Sequence, residues 1–324
     1  MPDHILVCPV CPHACRLGPG EQGLCRARAN RGGNIVPLAQ NLPCAIQIDP
    51  VEKKPLFHFF PGSPILSLGM AGCNLRCRNC QNASISQRSP EEVPGTPLTP
   101  EDVAALMEKH GLSLVAYTYT EPLVAFEYVL DCARKVREAG GRNVLVTAAY
   151  ARKETLRSLL PFIDAANVDL KAMSDAFYQS NCGASLSFVL DALRLFAAAG
   201  VCLEITNLII PGLNDKEEEL RLLARFVRDE LGEEVPLHFS RFFPSHKLRS
   251  LPPTPETTLI HARDIAFEEG LRHVYLGNTA QPETTSCAAC GQPLLTRRGY
   301  LVTDNKLAPG GRCPACGAFL YGRF

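Results

Sequence analysis

The sequence predicts an α/β protein built as a partial, TIM-like (β/α)6 barrel, with a cysteine-rich N-terminal extension and a zinc-ribbon-like C-terminal segment. Short β-branched runs alternate with amphipathic stretches between residues 61 and 280, a pattern typical of repeated βα units on a parallel sheet. Outside that range the alternation stops, and each flank carries a group of cysteines instead. We therefore expect three domains, at 1–60, 61–280 and 281–324.

Strands and helices are predicted to alternate in order along the central domain. Apolar, β-branched runs predict strands at 65–70, 114–120, 143–148, 166–170, 201–209, 235–242 and 273–278. Amphipathic stretches between them predict helices near 99–110, 122–139, 152–160, 185–199, 215–231 and 255–269. The first helix opens with Thr99 as a cap residue followed by Pro100, which is a helix-start pattern. Six or seven strands suit an incomplete barrel.

The composition gives no indication of nucleic-acid binding or membrane association. The 324 residues include 33 Lys and Arg and 33 Asp and Glu, so no net charge favours nucleic acid or an acidic membrane surface. No apolar run approaches the roughly 18 residues that span a bilayer. The N-terminus also lacks an export leader. We expect a soluble, cytoplasmic protein with no nucleic-acid or membrane partner.

Fifteen cysteines are the unusual feature of the composition. Eleven of them lie in three tight groups, and in a reducing cytosol such spacing favours metal or iron–sulfur ligands over disulfides. The groups are Cys8, Cys11, Cys15 and Cys25; Cys73, Cys77 and Cys80; and Cys287, Cys290, Cys313 and Cys316. The scattered Cys44, Cys132, Cys182 and Cys202 are expected to be ordinary thiols without a metal.

The two outer groups each offer four thiolates. At the C-terminus, two Cys-x2-Cys-Gly turns separated by 22 residues predict a structural four-thiolate zinc site, with an auxiliary iron–sulfur cluster as the alternative. The N-terminal group predicts a second metal site, holding either a structural metal or an auxiliary cluster. His13 is an alternative ligand there.

The central group has the spacing C-x3-C-x2-C and directly follows the first predicted strand. A cubane cluster normally takes four thiolates, so three on one short loop leave one iron open to a substrate or cofactor. A structural zinc with a distant fourth ligand is the alternative.

Three thiolates at this spacing, after strand one of a βα barrel, resemble the radical S-adenosylmethionine (radical SAM) superfamily. Residues 49–87, TYTEP at 118–122, VDLK at 168–171 and the paired C-terminal turns resemble the radical SAM component of the AmmeMemoRadiSam system. That family is similar to pyruvate formate-lyase activating enzymes. The resemblance implies a radical SAM barrel and a 4Fe-4S cluster that binds SAM. It also implies a reduced flavodoxin- or ferredoxin-like electron donor, and a protein substrate or partners from the AmmeMemoRadiSam system.

The resemblance further implies side chains that contact SAM at the strand ends. Thr120 and Glu121 are expected near the methionyl amine, and Asp169 and Lys171 near the SAM carboxylate and ribose. Weaker candidates are Glu204, Asn207 and His238. Helix caps, a surface ion pair or core polar residues are the alternatives for these positions. Where an Asn-Gly turn is expected after strand three, residues 146–150 read VTAAY, so that contact is lost or moved.

The sequence thus predicts a radical SAM enzyme of the oxidoreductase or activase type. Its 5′-deoxyadenosyl radical is expected to abstract hydrogen from an unidentified substrate. A glycyl-radical-enzyme activase is one alternative, and a non-catalytic zinc-binding interaction protein is a second.

Overall fold

The computed structural model describes residues 5–324. Its strands are β1 (Leu6–Val7), β2 (Arg16–Leu17), β3 (Arg28–Arg31), β4 (Asn34–Pro37), β5 (Ala45–Pro50), β6 (Pro64–Gly69), β7 (Leu114–Tyr117), β8 (Arg142–Thr147), β9 (Ala165–Asp169), β10 (Cys202–Ile209), β11 (Leu237–Arg241), β12 (Val274–Gly277), β13 (Glu283–Ser286), β14 (Pro293–Arg298) and β15 (Leu301–Asn305). Its α-helices are α1 (Ala83–Ser86), α2 (Pro100–Lys109), α3 (Phe126–Glu138), α4 (Lys153–Leu159), α5 (Asp175–Phe177), α6 (Leu186–Ala198), α7 (Glu217–Phe226) and α8 (Glu256–Glu268). Short 3-10 turns lie at Val51–Lys53, Pro122–Ala125 and Leu160–Phe162, and π-turns at Tyr178–Cys182 and Val227–Leu231.

An eight-stranded sheet forms the centre of the molecule, in the order β12-β11-β10-β9-β8-β7-β6-β5. Neighbours from β6 to β12 are parallel, whereas β5 runs antiparallel to β6. At least one helix connects each parallel strand to the next, as in other α/β folds. The predicted α/β class with a mostly parallel sheet is therefore confirmed. The partial-barrel closure and the three-domain division remain predictions.

The two faces of this sheet differ in chemistry. Leu66, Val115 and Leu145 lie on the face that packs against the helices in the main hydrophobic core. Residues paired across neighbouring strands share a face, and the opposite face carries polar pairs such as Asn167 with Glu204. Helices therefore cover one face of the sheet, and the other face carries a band of polar side chains.

The segment that follows β5 closes the amino-terminal end of the polar face. Phe59 packs there in a cluster with Ile65 and Ala165, the second and first residues of β6 and β9. The backbone amides of Phe57 and His58 donate to the Glu204 carboxylate at 3.1 and 2.8 Å. Because Glu204 is fully buried, it fixes this segment to β10.

The C-terminal segment forms a separate three-stranded antiparallel sheet, β13-β14-β15, that contacts the same end of the central sheet. Arg297 on β14 is fully buried and donates to the carbonyl of Phe57 and, at 2.8 Å, to Thr285 Oγ1. The Tyr321 hydroxyl exchanges hydrogen bonds with the backbone of Leu203 at 3.0 and 3.1 Å. These contacts attach the C-terminal segment to the central sheet.

Most element boundaries agree with the prediction to within two residues. The predicted strand 114–120 ends at Tyr117 instead, because Tyr119 has a left-handed backbone with a φ of 69°. The edge strand β5 and the β3–β4 hairpin were not predicted. No helix within residues 5–324 has the length and apolar character needed to cross a membrane.

We expect Glu204→Ala to lower the free energy of unfolding by roughly 3 kcal/mol or more, because several buried donors would lose their acceptor. Urea denaturation under anaerobic conditions measures this loss. Glu108→Ala, at an exposed position on α2, is the matched control and should stay within about 0.5 kcal/mol of wild type. Equal unfolding midpoints for the two variants would contradict this role of Glu204.

Candidate active site

The cysteine loop, residues 71–82, begins just beyond the carboxyl end of β6. Its amides bond to neighbouring segments: Gly72 N to Ile85 O at 3.0 Å, and Arg76 N to Cys182 O at 2.7 Å. The Arg78 amide also donates to the Asn181 carbonyl at 2.9 Å. Backbone hydrogen bonds on both sides thus fix the loop that carries Cys73, Cys77 and Cys80.

The three thiols of this loop are free and half-buried. Burial, followed by the charges of Glu121 and Cys77, raises the pKa of Cys73. The Cys73 sulfur accepts a hydrogen bond from the Leu75 amide at 3.4 Å, and the Cys80 sulfur lies 3.2 Å from Ser86 Oγ. The thiols therefore lie in one electrostatic environment that also includes Glu121.

Glu121 is a buried carboxylate at the end of β7. It accepts hydrogen bonds from Thr147 Oγ1 at 2.6 Å, the Ala148 amide at 2.9 Å and the Leu123 amide at 3.2 Å. Burial raises its pKa to about 6. The turn that lacks the expected Asn-Gly thus supports Glu121. Thr120, beside it, donates to the Met70 carbonyl at 2.6 Å.

Asp169 and Lys171 lie at the end of β9 and form an ion pair, with Lys171 Nζ 2.8 Å from Asp169 Oδ2. Burial opposes the charge of Lys171, but Asp169, Cys77 and Cys182 together raise its pKa above the usual value. Lys171 is half-buried, so its ammonium group provides a fixed cation beside the cysteine loop.

The three weaker candidates lie on β10 and β11. Asn207 Nδ2 donates to the Leu170 carbonyl at 2.8 Å, so it supports the end of β9. Glu204 and His238 bind each other at 2.7 Å. Their other described contacts are with the 57–58 segment and Tyr275, and none is with the cysteine loop. His238 also pairs with Thr206 across β10 and β11. A role of Glu204 and His238 in SAM binding therefore stays a prediction.

Sequence reasoning missed three features of the site. Thr206 pairs with Asp169 on the polar face, and its buried hydroxyl has no hydrogen-bond partner within the described chain. The loop after β11 touches the cysteine loop, since Ser245 Oγ donates to the Asn79 carbonyl at 2.8 Å. Cys182, expected to be an ordinary thiol, lies close enough to Cys77 to lower the pKa of Cys77 to about 7. Of the three, only the loop after β11 carries a local signal in the sequence, because polar residues follow the strand there.

The residues at this end of the sheet fit an iron–sulfur cluster with a charged organic ligand. Three thiols on one loop provide three cluster ligands. A buried carboxylate, a cation and an unpartnered hydroxyl on the adjoining strand ends provide groups for a ligand with both charges.

The C-terminal cysteines form a compact group. The sulfur atoms of Cys287, Cys290, Cys313 and Cys316 all lie within 4.8 Å of one another, and no other group of three or more such ligands in residues 5–324 is as close. The Cys287–Cys316 and Cys290–Cys313 sulfur distances are 3.6 and 3.7 Å. A tetrahedral ion bound by thiolates at about 2.3 Å places the sulfurs at about this spacing. The group therefore fits one metal ion.

The N-terminal cysteines are also free thiols, with Cys8, Cys11 and Cys25 buried and Cys15 half-buried. They are more widely spaced than the C-terminal group. His13, the alternative ligand, instead has its Nε2 2.8 Å from the Asn74 carbonyl.

Comparison with known proteins identifies a radical SAM domain in this chain. Residues 68–224 match the radical SAM superfamily. An uncharacterized protein of Methanocaldococcus jannaschii is 42% identical over 318 residues, which span 97% of this chain and 95% of that protein. The chain therefore contains a radical SAM domain and is an enzyme of radical, oxidoreductase-like chemistry. A radical SAM domain implies SAM and a 4Fe-4S cluster as cofactors.

More distant relatives agree with this assignment. Pyruvate formate-lyase 1-activating enzyme of Escherichia coli K12 is 28% identical over 176 residues, covering 52% of this chain and 71% of that enzyme. The structure of Streptococcus suis SuiB bound to S-adenosylmethionine has a TM-score of 0.52 at 13% identity, covering 71% of this chain and 53% of SuiB. The second likeness shows the fold alone.

Proposed function

We propose that this enzyme cleaves SAM reductively at a 4Fe-4S cluster held by Cys73, Cys77 and Cys80. When bound, the cluster supplies the electron that splits SAM into methionine and a 5′-deoxyadenosyl radical, which then takes a hydrogen atom from the substrate. The observation that supports this most is the position of the three free thiols, next to Glu121 and Lys171 at one edge of the sheet.

The charged groups of the site suit the two ends of the SAM amino acid. The Glu121 carboxylate would accept hydrogen bonds from the methionyl amine. The Lys171 ammonium would bind the methionyl carboxylate or a ribose oxygen. Asp169 and the free hydroxyl of Thr206 lie on the same face and would bind the ribose. Thr120 and Asn207 would position the strand ends through their bonds to backbone carbonyls.

The substrate class we favour is a protein. The similarity to pyruvate formate-lyase 1-activating enzyme supports an activase that takes hydrogen from a glycine of a partner protein. A reduced flavodoxin- or ferredoxin-like protein would supply the electron. A non-catalytic zinc-binding protein is disfavoured, because it would not need a carboxylate and a cation beside the cysteine loop.

We base the narrower family, the zinc site and the cellular location on the sequence resemblance and on the cysteine residues. We assign the chain to the AmmeMemoRadiSam radical SAM family on residues 49–87, and we expect its partners in that system. The sulfur spacing of the C-terminal group supports zinc in a zinc-ribbon-like domain at 281–324. Fifteen free cysteines suit a reducing compartment, which supports a cytoplasmic location.

We expect Lys171→Ala to weaken SAM binding roughly 10- to 100-fold, because a charge-assisted hydrogen bond is worth about 1.5–3 kcal/mol. Calorimetric titration of the reconstituted protein measures the SAM Kd. Iron and sulfide content should stay at the wild-type level. The control is Lys153→Ala, which removes an exposed ion pair with Asp191. Unchanged SAM affinity in Lys171→Ala would overturn this role.

We expect Cys290→Ala to remove zinc from the purified protein without loss of iron, because the C-terminal group would lose one of its four thiolates. Elemental analysis of zinc and iron checks this. Cys77→Ala is the reciprocal variant and should lose the iron bound by the cysteine loop while keeping zinc. Zinc retained in Cys290→Ala, or iron lost from it, would contradict the separation of the two sites.

A further inference from the structure

The N-terminal cysteine group contacts the cysteine loop directly. The Cys73 amide donates to the Cys25 carbonyl at 3.1 Å. Beside this bond, the His13 ring and the Asn74 carbonyl are 2.8 Å apart, and the Asn74 amide group donates to the Tyr150 carbonyl at 2.7 Å. A single backbone hydrogen bond therefore joins a cysteine of the N-terminal group to a cysteine of the cysteine loop.

Gly72 makes this approach possible. A Cβ atom at that position would lie 2.6 Å from the Cys25 carbonyl oxygen and 2.8 Å from the Cβ of Ala27, which is closer than side chains tolerate. Gly72 also has a φ of 91°, a conformation that disfavours any other residue. The local sequence thus suits close contact between the two segments.

The four N-terminal cysteines converge although they are spread over 18 residues. Pairing of β1 with β2 brings Cys8 next to Cys15, whose carbonyl accepts from the Cys8 amide at 2.9 Å. The sulfurs of Cys15 and Cys25 both lie beside Gly23, at 3.6 and 3.7 Å from where its Cβ would be. Cys11 lies within electrostatic reach of Cys8 and Cys25. The four thiols therefore surround one small region.

Two groups near these cysteines stabilise negative charge on sulfur. The Leu24 amide donates to the Cys15 sulfur at 3.4 Å, like the Leu75 amide to Cys73 in the cysteine loop. The buried guanidinium of Arg28 lies within electrostatic reach of Cys8 and Cys25 and is held by Glu127 at 2.6 Å. Amide and cation both stabilise negative charge on sulfur, and such hydrogen bonds tune cluster potentials.

The sulfurs of the N-terminal group are farther apart than one zinc ion requires, and this spacing is compatible with a cluster. Thiolates on one zinc ion lie about 3.8 Å apart, and the C-terminal group has this spacing. The N-terminal sulfurs are not all within 4.8 Å of one another, and neither are those of the cysteine loop. In a cubane each thiolate binds a different iron, so its sulfurs are farther apart.

We propose that Cys8, Cys11, Cys15 and Cys25 hold a second iron–sulfur cluster, which passes electrons to the cysteine loop through the contact between Cys25 and Cys73. The assignment of a cluster to the N-terminal cysteines does not depend on the proposed function, whereas the electron route to the cysteine loop rests on it. A flavodoxin- or ferredoxin-type protein gives up one electron and the second cluster is reduced. That cluster is reoxidised when its electron moves to the cluster on the cysteine loop. Each SAM molecule that is cleaved consumes one electron.

The metal assignment is tested with the full chain that carries Cys73→Ala, Cys77→Ala and Cys80→Ala together. After anaerobic reconstitution we expect about four irons and four sulfides per chain to remain. Dithionite should give an electron paramagnetic resonance signal that SAM does not alter. Zinc, a disulfide or no metal at the N-terminal group would overturn the assignment. If the cysteine loop held no cluster, the proposed function would fail while the metal assignment stood. Wild type and the triple variant would then contain equal amounts of iron.

The electron route is tested with Cys11→Ala/Cys15→Ala and with Cys44→Ala as the control, since Cys44 belongs to none of the three groups. Dithionite-driven SAM cleavage should be retained in the double variant, because a small reductant reaches the first cluster directly. Cleavage driven by reduced flavodoxin should fall at least about tenfold, because the route is broken. Equal flavodoxin-driven rates would overturn the route. If the double variant does not fold, the triple variant still decides the metal assignment.

Discussion

The parallel pairing of β6 to β12 is the constraint on which the site depends. It brings the carboxyl ends of seven strands to one edge of the sheet, where loops carry function while the strands stay fixed. The cysteine loop follows β6, Glu121 follows β7 and Lys171 follows β9. Asn214 helps to hold this edge, since its side chain bonds to the backbone of Lys171, Leu208 and Ile210. The cysteine loop, Glu121 and Lys171 are far apart in sequence. The parallel strands nevertheless bring them to the same edge of the sheet.

Local patterns predicted the parallel strands and the cysteine groups well, because hydrophobic periodicity and thiol spacing are both short-range signals. The same reasoning did not reveal which groups Glu204 contacts in the structure. A polar residue on the inner face of a strand gives the same sequence pattern whether its side chain contacts a ligand or another segment of the chain. Its partners, Phe57 and His58, lie about 146 residues away, and such pairing is invisible locally. Thr206, on the same face, was missed for the same reason.

The two flanks contact opposite ends of the central sheet. Through Arg297 and Tyr321 the C-terminal segment closes the amino-terminal ends of the strands, and its fully buried guanidinium makes this attachment costly to break. The N-terminal segment instead meets the carboxyl ends, at Gly72 and Cys73. The N-terminal flank therefore lies beside the cysteine loop, whereas the C-terminal flank supports the opposite end of the sheet.

The central claim is that the cysteine loop supports reductive cleavage of SAM. The most direct test is chromatographic measurement of 5′-deoxyadenosine and methionine formed by the anaerobically reconstituted, dithionite-reduced protein. The account predicts equal amounts of both products from wild type and neither from Cys80→Ser. Iron-loaded wild-type protein that binds SAM but forms no 5′-deoxyadenosine would contradict it.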